Sequence, residues 1–424
     1  MVFYGYIVTA AAFGVSLIGW GSYQTFGVFF KPMLTEFGWT RAEMSLAYSL
    51  ALIVLGILGI IMGWLTDSLG PRIVVIVFGS FLGISYLLMS QINTLWQFQL
   101  YYGLVGAIGL SALTIPTMAT VARWFVRKRG LMIGIAQAGS GIGGLIFAPF
   151  AGWLILSYGW RSAYTIFGVI IIVGIIVSGA FLRRDPKDAA QSPYGANEVV
   201  APQRKKQSPS LPSIGLSLRQ AIRTSRFWMV AVLFACFGFT RSTFIAHIAP
   251  HVQDLGFLLS DAANVLAALS LSSIIGRIIM GRVADIIGNG PTLVISFTAT
   301  AMILLWGLVA ENLWGLYLFA LVFGFAWGAQ AVLRFAITSE SFGSVSLGLL
   351  MGTLVLAENG AAAFGSYFGG YIFDVFGNYN LVFWIGIGVA ILGVILSWLL
   401  KRRPSEGATG ESVWPSNGAD THMP

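Results

Sequence analysis

Charged residues are scarce in this chain of 424 residues. Asp, Glu, Lys and Arg together make up 9% of it, whereas 57% is hydrophobic and the mean hydropathy is +0.83. Soluble globular domains carry about a quarter charged residues, so the composition excludes a soluble globule and indicates an integral membrane protein. The phosphate-binding pattern Gly-x-x-x-x-Gly-Lys-Ser/Thr is also missing, which argues against an ATP-driven pump.

Cysteine is nearly absent as well. Cys236 is the only one, so an intrachain disulfide is excluded, and we expect it to be a small residue inside a helix bundle. His247 and His251 share a helical face at four-residue spacing but have no evident third ligand, so no metal site and no cofactor are predicted.

Long apolar runs are what the chain has in abundance. About twelve are long enough to cross a bilayer of about 30 Å. They lie near residues 4–30, 42–66, 72–91, 95–120, 130–156, 161–182, 227–252, 261–284, 291–310, 313–338, 346–372 and 380–400. Between residues 183 and 225 the sequence is rich in Pro, Ser, Gln, Lys and Arg, which is typical of a linker.

Two polar turns in the chain repeat each other. One is Gly63-Trp-Leu-Thr-Asp67-Ser-Leu-Gly70-Pro-Arg72, and the other is Gly281-Arg-Val-Ala-Asp285-Ile-Ile-Gly288. Because they occupy matching places in two halves, the sequence predicts an all-α membrane protein with twelve transmembrane helices in two six-helix bundles related by pseudo-twofold symmetry. The predicted units are a bundle at 1–182, a cytoplasmic linker at 183–225, a second bundle at 226–403 and a disordered cytoplasmic tail at 404–424.

Basic residues fall mostly on one side of this predicted topology. They are Arg72, Arg123, Arg127, Lys128, Arg129, Arg183, Arg184, Lys187, Arg204, Lys205, Lys206, Lys401, Arg402 and Arg403. The positive-inside rule makes that side cytoplasmic. We therefore expect a multi-pass protein of the cell inner (plasma) membrane with both termini in the cytoplasm. The net charge of +8 follows from this topology and does not indicate nucleic-acid binding.

Ionisable residues inside the predicted spans are few, and such residues are functional candidates because burying a charge in the bilayer is costly. Arg277 lies about 12 Å from the cytoplasmic end of the eighth span. Its planar fork of donors matches a carboxylate, so we predict that it binds substrate. A structural pair with Glu358 or Asp285 is the alternative.

Glu358 and His247 are the candidates for carrying a proton. Arg334 is predicted to form a structural or gating pair with Glu340 or Glu358, and Arg241 is a further intramembrane cation. The remaining candidates share polar or amphipathic character deep in apolar spans, where they are suited to line a substrate cavity: Gln24, Gln137, Trp327, Gln330 and Asn359. Asp67, Arg72 and Asp285, in the repeated turns, are predicted to act in conformational change.

The repeated turns resemble the signature loop of the major facilitator superfamily, which recurs between the second and third and between the eighth and ninth helices. A second segment, Trp124-Phe125-Val-Arg127-Lys128-Arg129 followed by small residues to Ser140, looks like a signature of the monocarboxylate porter family. Phe26-Gly-Val-Phe-Phe-Lys31 is similar to the end of that family's first helix. The resemblance implies the fold of the superfamily and a carboxylate-binding role for Arg277.

The chain departs from that family at two positions. Animal members carry a lysine in the first helix where this chain has Gln24, and an aspartate one turn before the arginine where it has Ser273. Both residues belong to the proton-coupling scheme of those members. Here the coupling must use other groups, such as Glu358 or His247, or be absent.

The expected function is secondary transport of a small monocarboxylate of the L-lactate or pyruvate type, with a proton, by alternating access of the two bundles. The expected partners are the carboxylate, H⁺ and the lipid bilayer, without nucleic acid and without a required oligomer. An organic-anion exchanger resembling the oxalate/formate members is the alternative. A membrane-embedded sensor or enzyme is a remote one, because no extramembrane segment is large enough for such a domain, and the chain is not expected to be an enzyme.

Overall fold

The computed structural model describes residues 3–189, 191–195, 216–343 and 347–402, and the long elements of these residues are helices. Much of the predicted linker and all of the predicted tail at 404–424 lie outside the described residues. We number the membrane-spanning helices α1 to α12. They are α1 Tyr4–Phe37, α2 Arg41–Leu69, α3 Pro71–Met89, α4 Leu95–Trp124, α5 and α6 within Arg129–Ala180, α7 Ser225–Asp254, α8 Leu259–Ile287, α9 Asn289–Gly307, α10 Leu313–Phe342, α11 Leu347–Phe376 and α12 Asn380–Arg402.

The helical segment Arg129–Ala180 is two spans joined by a sharp turn. Its 52 residues would extend about 78 Å if straight, more than twice the thickness of a bilayer core. Gly159 interrupts it with φ 79° and ψ 161°. Gly139 and Ser178, on opposite sides of Gly159, contact neighbouring residues of α1, Phe13 and Gly14. The segment is therefore an antiparallel pair, α5 (129–158) and α6 (160–180), and the predicted total of twelve spans is confirmed.

The two repeated turns have the same backbone geometry. Gly70 ends α2 with φ 84° and ψ 155°, and Gly288 ends α8 with φ 89° and ψ 161°. Each glycine donates its N–H to the carbonyl four residues earlier, in Thr66 and Ala284 respectively. A positive φ at a helix C-terminus favours glycine because it has no Cβ. The sequence repeat is thus a repeat of structure.

Two faces of the bundle are used below as reference points. The basic face carries the turns at 70, 125–128, 181–184, 288 and 343; the opposite face carries the turns at 38, 90–94, 159, 255–258, 308–312 and 377–379. α2 packs against α11, α5 against α8 and α1 against α7. These three contacts join the first six spans to the last six.

The two halves touch at the opposite face and diverge toward the basic face. A side chain added at Gly152 of α5 would meet Ala263 of α8 at 3.0 Å, whereas one added at Gly134 of α5 or Gly281 of α8 would meet nothing within 4 Å. Gly370 of α11 likewise packs against α2 near Arg41, whereas Gly352 of α11 faces open space. The space between the halves therefore opens to the basic face.

Candidate functional site

Arg277 lies on α8 where that helix packs most tightly against α10. Gly276 rests on the backbone of Phe325, and Gly328 rests on the backbone of Ser273. Small residues permit this approach, which drives helix association in membranes. As a result the Arg277 guanidinium lies beside the Trp327 ring, with Cζ 5.6 Å from the ring centroid.

The other neighbours of Arg277 come from the first half of the chain. Its Nη1 donates to the carbonyl oxygen of Gln137 at 3.2 Å and to Ser140 Oγ at 3.3 Å, both on α5. Gln24 Nε2 donates to the carbonyl oxygen of Ser140 at 3.1 Å, and Ser270 Oγ of α8 donates to Gln24 Oε1 at 3.3 Å. Side chains of α1 and α8 and the backbone of α5 thus meet at one place between the halves.

Gln24 lies at a short turn within α1, where the backbone stays in the right-handed helical region. The helix runs from Tyr4 to Tyr23, turns at Gln24 and Thr25, and resumes at Phe26. Because Gln24 and Arg277 both bond Ser140, this turn lies beside Arg277 between the halves.

Arg277 has no acidic partner among the residues that the structure describes. Its hydrogen bonds go to uncharged oxygens, and its Nε is buried without a hydrogen-bond partner. The two acids considered as structural partners are engaged elsewhere or remote, because Glu358 pairs with other arginines and Asp285 is exposed at the basic face. A buried charge without a counter-ion is costly unless a ligand supplies one.

Glu358 of α11 lies between two other arginines. Its Oε2 accepts a hydrogen bond from Arg334 Nη1 of α10, and its Oε1 is 3.7 Å from Arg241 Nη2 of α7. The residue is 3% exposed. Both guanidinium groups lie over the Phe237 ring, at 4.8 Å for Arg334 and 5.7 Å for Arg241. The structure therefore selects Glu358 as the partner of Arg334, while Glu340 accepts from Asn289 Nδ2 at 2.9 Å.

Several buried N–H donors at the interface between the halves lack an acceptor. Besides Arg277 Nε, they are Arg241 Nε, Trp327 Nε1 and Asn359 Nδ2. Trp327 and Asn359 are 7% and 4% exposed. An unmade hydrogen bond on a buried donor costs about 1–3 kcal/mol. Buried donors without acceptors suit a ligand rich in acceptors, such as a carboxylate.

Gln330 has a partner within its own half. Its Nε2 donates to Thr300 Oγ1 of α9 at 3.0 Å, and the side chain is buried between α9 and α10. Its amide therefore joins two helices of one half, and its role in lining the cavity stays a prediction.

The residues of the repeated turns lie at the basic face, remote from Arg277. Arg123 Nη2 of α4 donates to Asp67 Oδ1 at 2.6 Å, a pair within the first half. Arg72 and Asp285 are exposed. Asp67 thus joins α2 to α4 within one half, which is compatible with the predicted conformational role of these turns.

His247 lies near the opposite face, where the halves touch. Its Nε2 is 2.8 Å from the carbonyl oxygen of Ser366 and its Nδ1 is 3.2 Å from Tyr379 Oη. Because a carbonyl only accepts, the proton is assigned to Nε2 and Nδ1 accepts from Tyr379. Tyr379 Oη in turn accepts from Arg41 Nη1 at 2.6 Å.

Sequence reasoning missed the contacts that close the opposite face. Arg41 of α2 forms two bonds with the carboxylate of Asp254 at the end of α7, and Lys31 Nζ of α1 lies 3.1 Å from the same carboxylate. Asp374 of α11 accepts from the backbone N–H groups of Arg41 and Ala42. Charged residues at helix ends are common in membrane proteins, so these contacts could not be recognised from the sequence. The one indication was that Lys31 and Arg41 lie on the face that has few basic residues.

Comparisons with known proteins agree with this architecture. The family model of the Major Facilitator Superfamily matches residues 11–263 and 236–416. Monocarboxylate transporter 13 of Rattus norvegicus is 30% identical over 386 residues, covering 90% of this chain and 85% of that protein. Its counterpart from Bos taurus is 28% identical over 383 residues, with the same coverage. The uncharacterized MFS-type transporter YcxA of Bacillus subtilis is 26% identical over 401 residues, covering 92% and 93%.

A solved structure shares the fold. It is a bacterial homolog of the human lysosomal transporter Spinster in an inward-facing, unoccupied conformation, with a TM-score of 0.74 and 16% identity over 95% of this chain and 98% of that one. The protein is therefore a multi-pass membrane transporter of the major facilitator superfamily, and within it the chain belongs to the monocarboxylate-transporter-like family.

Proposed function

We propose that this protein is a secondary active transporter of small monocarboxylates of the L-lactate or pyruvate type, coupled to a proton. The observation that carries the proposal is Arg277, a half-buried arginine between the two halves whose Nε is buried and which has only uncharged partners in the described chain. Similarity to transporters named for monocarboxylates supports the substrate class.

The substrate's carboxylate would bind Arg277, where the guanidinium fork provides charge-assisted hydrogen bonds. Trp327 and Asn359 would supply further N–H donors, and Gln24 with Gln137 would fix α1 and α5 around the arginine. Aromatic and aliphatic walls fit a short organic tail. No cofactor is required for this chemistry, since binding and conformational change suffice.

Alternating access would follow from rocking of the two halves, taken as residues 1–182 and 226–403 joined by the linker at 183–225. The basic face is the cytoplasmic one in this proposal, by the positive-inside rule. The structure would then be the inward-open state, with both termini in the cytoplasm of a cell whose inner (plasma) membrane holds the protein. One chain contains both halves, so an oligomer is not required.

The experiment is uptake of radiolabelled L-lactate into proteoliposomes, with and without an inward proton gradient. We expect gradient-stimulated uptake in the natural protein and a loss of about 100-fold in Arg277→Gln, because the carboxylate loses its counter-charge. Arg277→Lys keeps the charge without the planar fork and should retain part of the activity. Arg219→Gln, at an exposed position outside the spans, is the control for folding and insertion. Undiminished uptake by Arg277→Gln contradicts the proposal.

An exchanger of organic anions is the second candidate. Arg241 and Arg334, close to one another at Glu358, favour it because they provide cations beyond Arg277. Trans-stimulation by internal oxalate or formate that does not depend on pH would support exchange and contradict proton symport.

A further inference from the structure

Glu358 occupies a site built for a carboxylate. Arg334 bonds one of its oxygens and Arg241 lies beside the other, so each guanidinium serves one oxygen of the group. The Phe237 ring lies beneath both cations. A pair of arginines around one carboxylate, with an apolar wall, provides what the head group of a small organic acid needs.

The backbone beneath Glu358 is fixed against α7. Gly238 of α7 packs directly on the carbonyl group of Glu358, so α11 cannot shift there without separating from α7. Among the residues that the structure describes, the polar partners of the carboxyl group are Arg334 and Arg241. Loss of its charge would release it from them without moving the helix.

The charges around Glu358 come from three helices. Arg241 of α7 and Arg334 of α10 contact it, and both lie close enough for their charges to repel that of Arg277 on α8. On the remaining side α2 presents Gly56, which contacts Asn359. Tyr23 and Tyr48 lie within electrostatic reach of Arg241. Three guanidinium charges thus lie near one another while one carboxylate pairs with two of them, so a second anion is attracted and the loss of the first is disfavoured.

Building on the proposed function, we propose that Arg241 and Arg334 form a second carboxylate site, which Glu358 fills in the empty transporter and which the substrate's carboxylate takes over when Glu358 is protonated. A proton from the water in the open cavity binds one carboxylate oxygen of Glu358, and both ion pairs break. The substrate's carboxylate then forms the same bonds to the two arginines, after entering by way of Arg277.

The exchange keeps the buried charge constant. Before it the cluster holds three arginines and one carboxylate; after it the cluster holds the same three arginines, one substrate carboxylate and a neutral glutamic acid. The proton and the anion therefore bind together, one for one, and the pair crosses without net charge. Binding of the anion alone would have to displace a charged Glu358 into a site with few other partners, which is costly.

The test is calorimetric titration of the purified full-length protein with L-lactate in two buffers of different ionisation enthalpy, from about pH 6 to about pH 8. The natural protein should take up one proton per lactate bound, and its Kd should rise about tenfold per pH unit. Glu358→Gln should bind lactate without proton uptake and with a Kd independent of pH. In proteoliposomes the same variant should keep lactate–lactate exchange and lose accumulation driven by a proton gradient.

Glu340→Gln is the matched control, because Glu340 is an exposed acid at the end of α10 outside the arginine cluster. It should behave as the natural protein does. If Glu358→Gln does not fold, Glu358→Asp replaces it. The shorter carboxylate binds the two arginines less well and competes less with lactate. Proton uptake should therefore remain, and the Kd for lactate near pH 8 should decrease several-fold.

The outcomes separate this inference from the proposed function. Proton uptake that persists in Glu358→Gln, a pH-independent Kd in the natural protein, or an unchanged Kd in Glu358→Asp would each overturn the second site and leave carboxylate transport through Arg277 intact. Failure of the natural protein to bind or take up any monocarboxylate would overturn the proposed function itself.

Discussion

Arg41 and Asp254 tie the two halves of the transporter together at the face opposite the cavity opening. On the guanidinium of Arg41 in α2, Nη1 lies 2.7 Å from Asp254 Oδ2 of α7 and Nη2 donates to Asp254 Oδ1 at 2.8 Å. It also stacks on the Phe373 ring of α11, with Cζ 3.4 Å from the centroid. Because these contacts cross from one half to the other, they can form only while this face is closed.

Removing the charge of Asp254 should release the closed face. Asp254→Asn loses charged hydrogen bonds worth about 1.5–3 kcal/mol, so we expect the population with the opposite face open to rise at least about tenfold. Spin labels placed across the two halves at that face, in a Cys236→Ser background, would report the change as a longer distance distribution.

Glu36→Gln is the control for that experiment. Its ion pair with Arg161 lies near the same face but joins α1 to α6 within one half. The distance distribution should not change in this variant. If Asp254→Asn leaves it unchanged as well, the Arg41–Asp254 contact is not a gate.

His247 is expected to position the gate without carrying the coupled proton. In the structure a neutral imidazole satisfies both of its neighbours, donating to Ser366 and accepting from Tyr379. A second ring proton, on Nδ1, would remove the acceptor of the Tyr379 hydroxyl proton. His247→Gln should therefore keep proton-gradient-driven uptake within about threefold of the natural rate. Loss of the pH dependence in this variant, with uptake retained, would make His247 the proton carrier.

Trp327 is expected to donate a hydrogen bond to the substrate. Its Nε1–H is buried and has no acceptor in the structure, and Trp327→Phe removes that donor while keeping an aromatic face for Arg277. One hydrogen bond to a charged group is worth about 1.5–3 kcal/mol, so KM for L-lactate should rise at least about tenfold. Trp20→Phe is the control, because the Trp20 N–H donates to Thr114 within the first half. It should leave KM unchanged. Equal KM values for both variants would remove Trp327 from the site.

The close packing of α8 on α10 should limit the size of residue 276. A Cβ at Gly276 would collide with the backbone of Phe325, and overpacking of this kind costs about 1–3 kcal/mol. Gly276→Ala should lower the melting temperature and displace Arg277 from Trp327, so uptake should also decrease. Gly281→Ala, about one and a half turns further along α8 where space is open, should lower neither property. If Gly276→Ala melts at the same temperature as the natural protein, α8 and α10 can move apart enough to accommodate the added methyl group.

Much of the architecture could be predicted from the sequence because lipid imposes simple rules. Apolar runs of bilayer length located every span, and basic residues marked one face. The glycines of the repeated turns marked the ends of α2 and α8, where the backbone requires positive φ. Arg277, Glu358 and Gln24 could be identified as candidates because a charged or polar side chain inside a span is costly and therefore rare.

The partners of those side chains could not be predicted. Gln24 and Gln330 are both amides deep in apolar helices, yet Gln24 bonds across the two halves and Gln330 bonds within one. The sequence by itself determined the number of spans, the internal repeat and the short list of buried charges, because each depends on the local chain. Only the tertiary structure decided that Glu358 lies between Arg241 and Arg334, that Arg277 lacks a counter-ion in the described chain, and that the cavity opens to the basic face. These features depend on how helices far apart in the sequence are rotated and packed against one another.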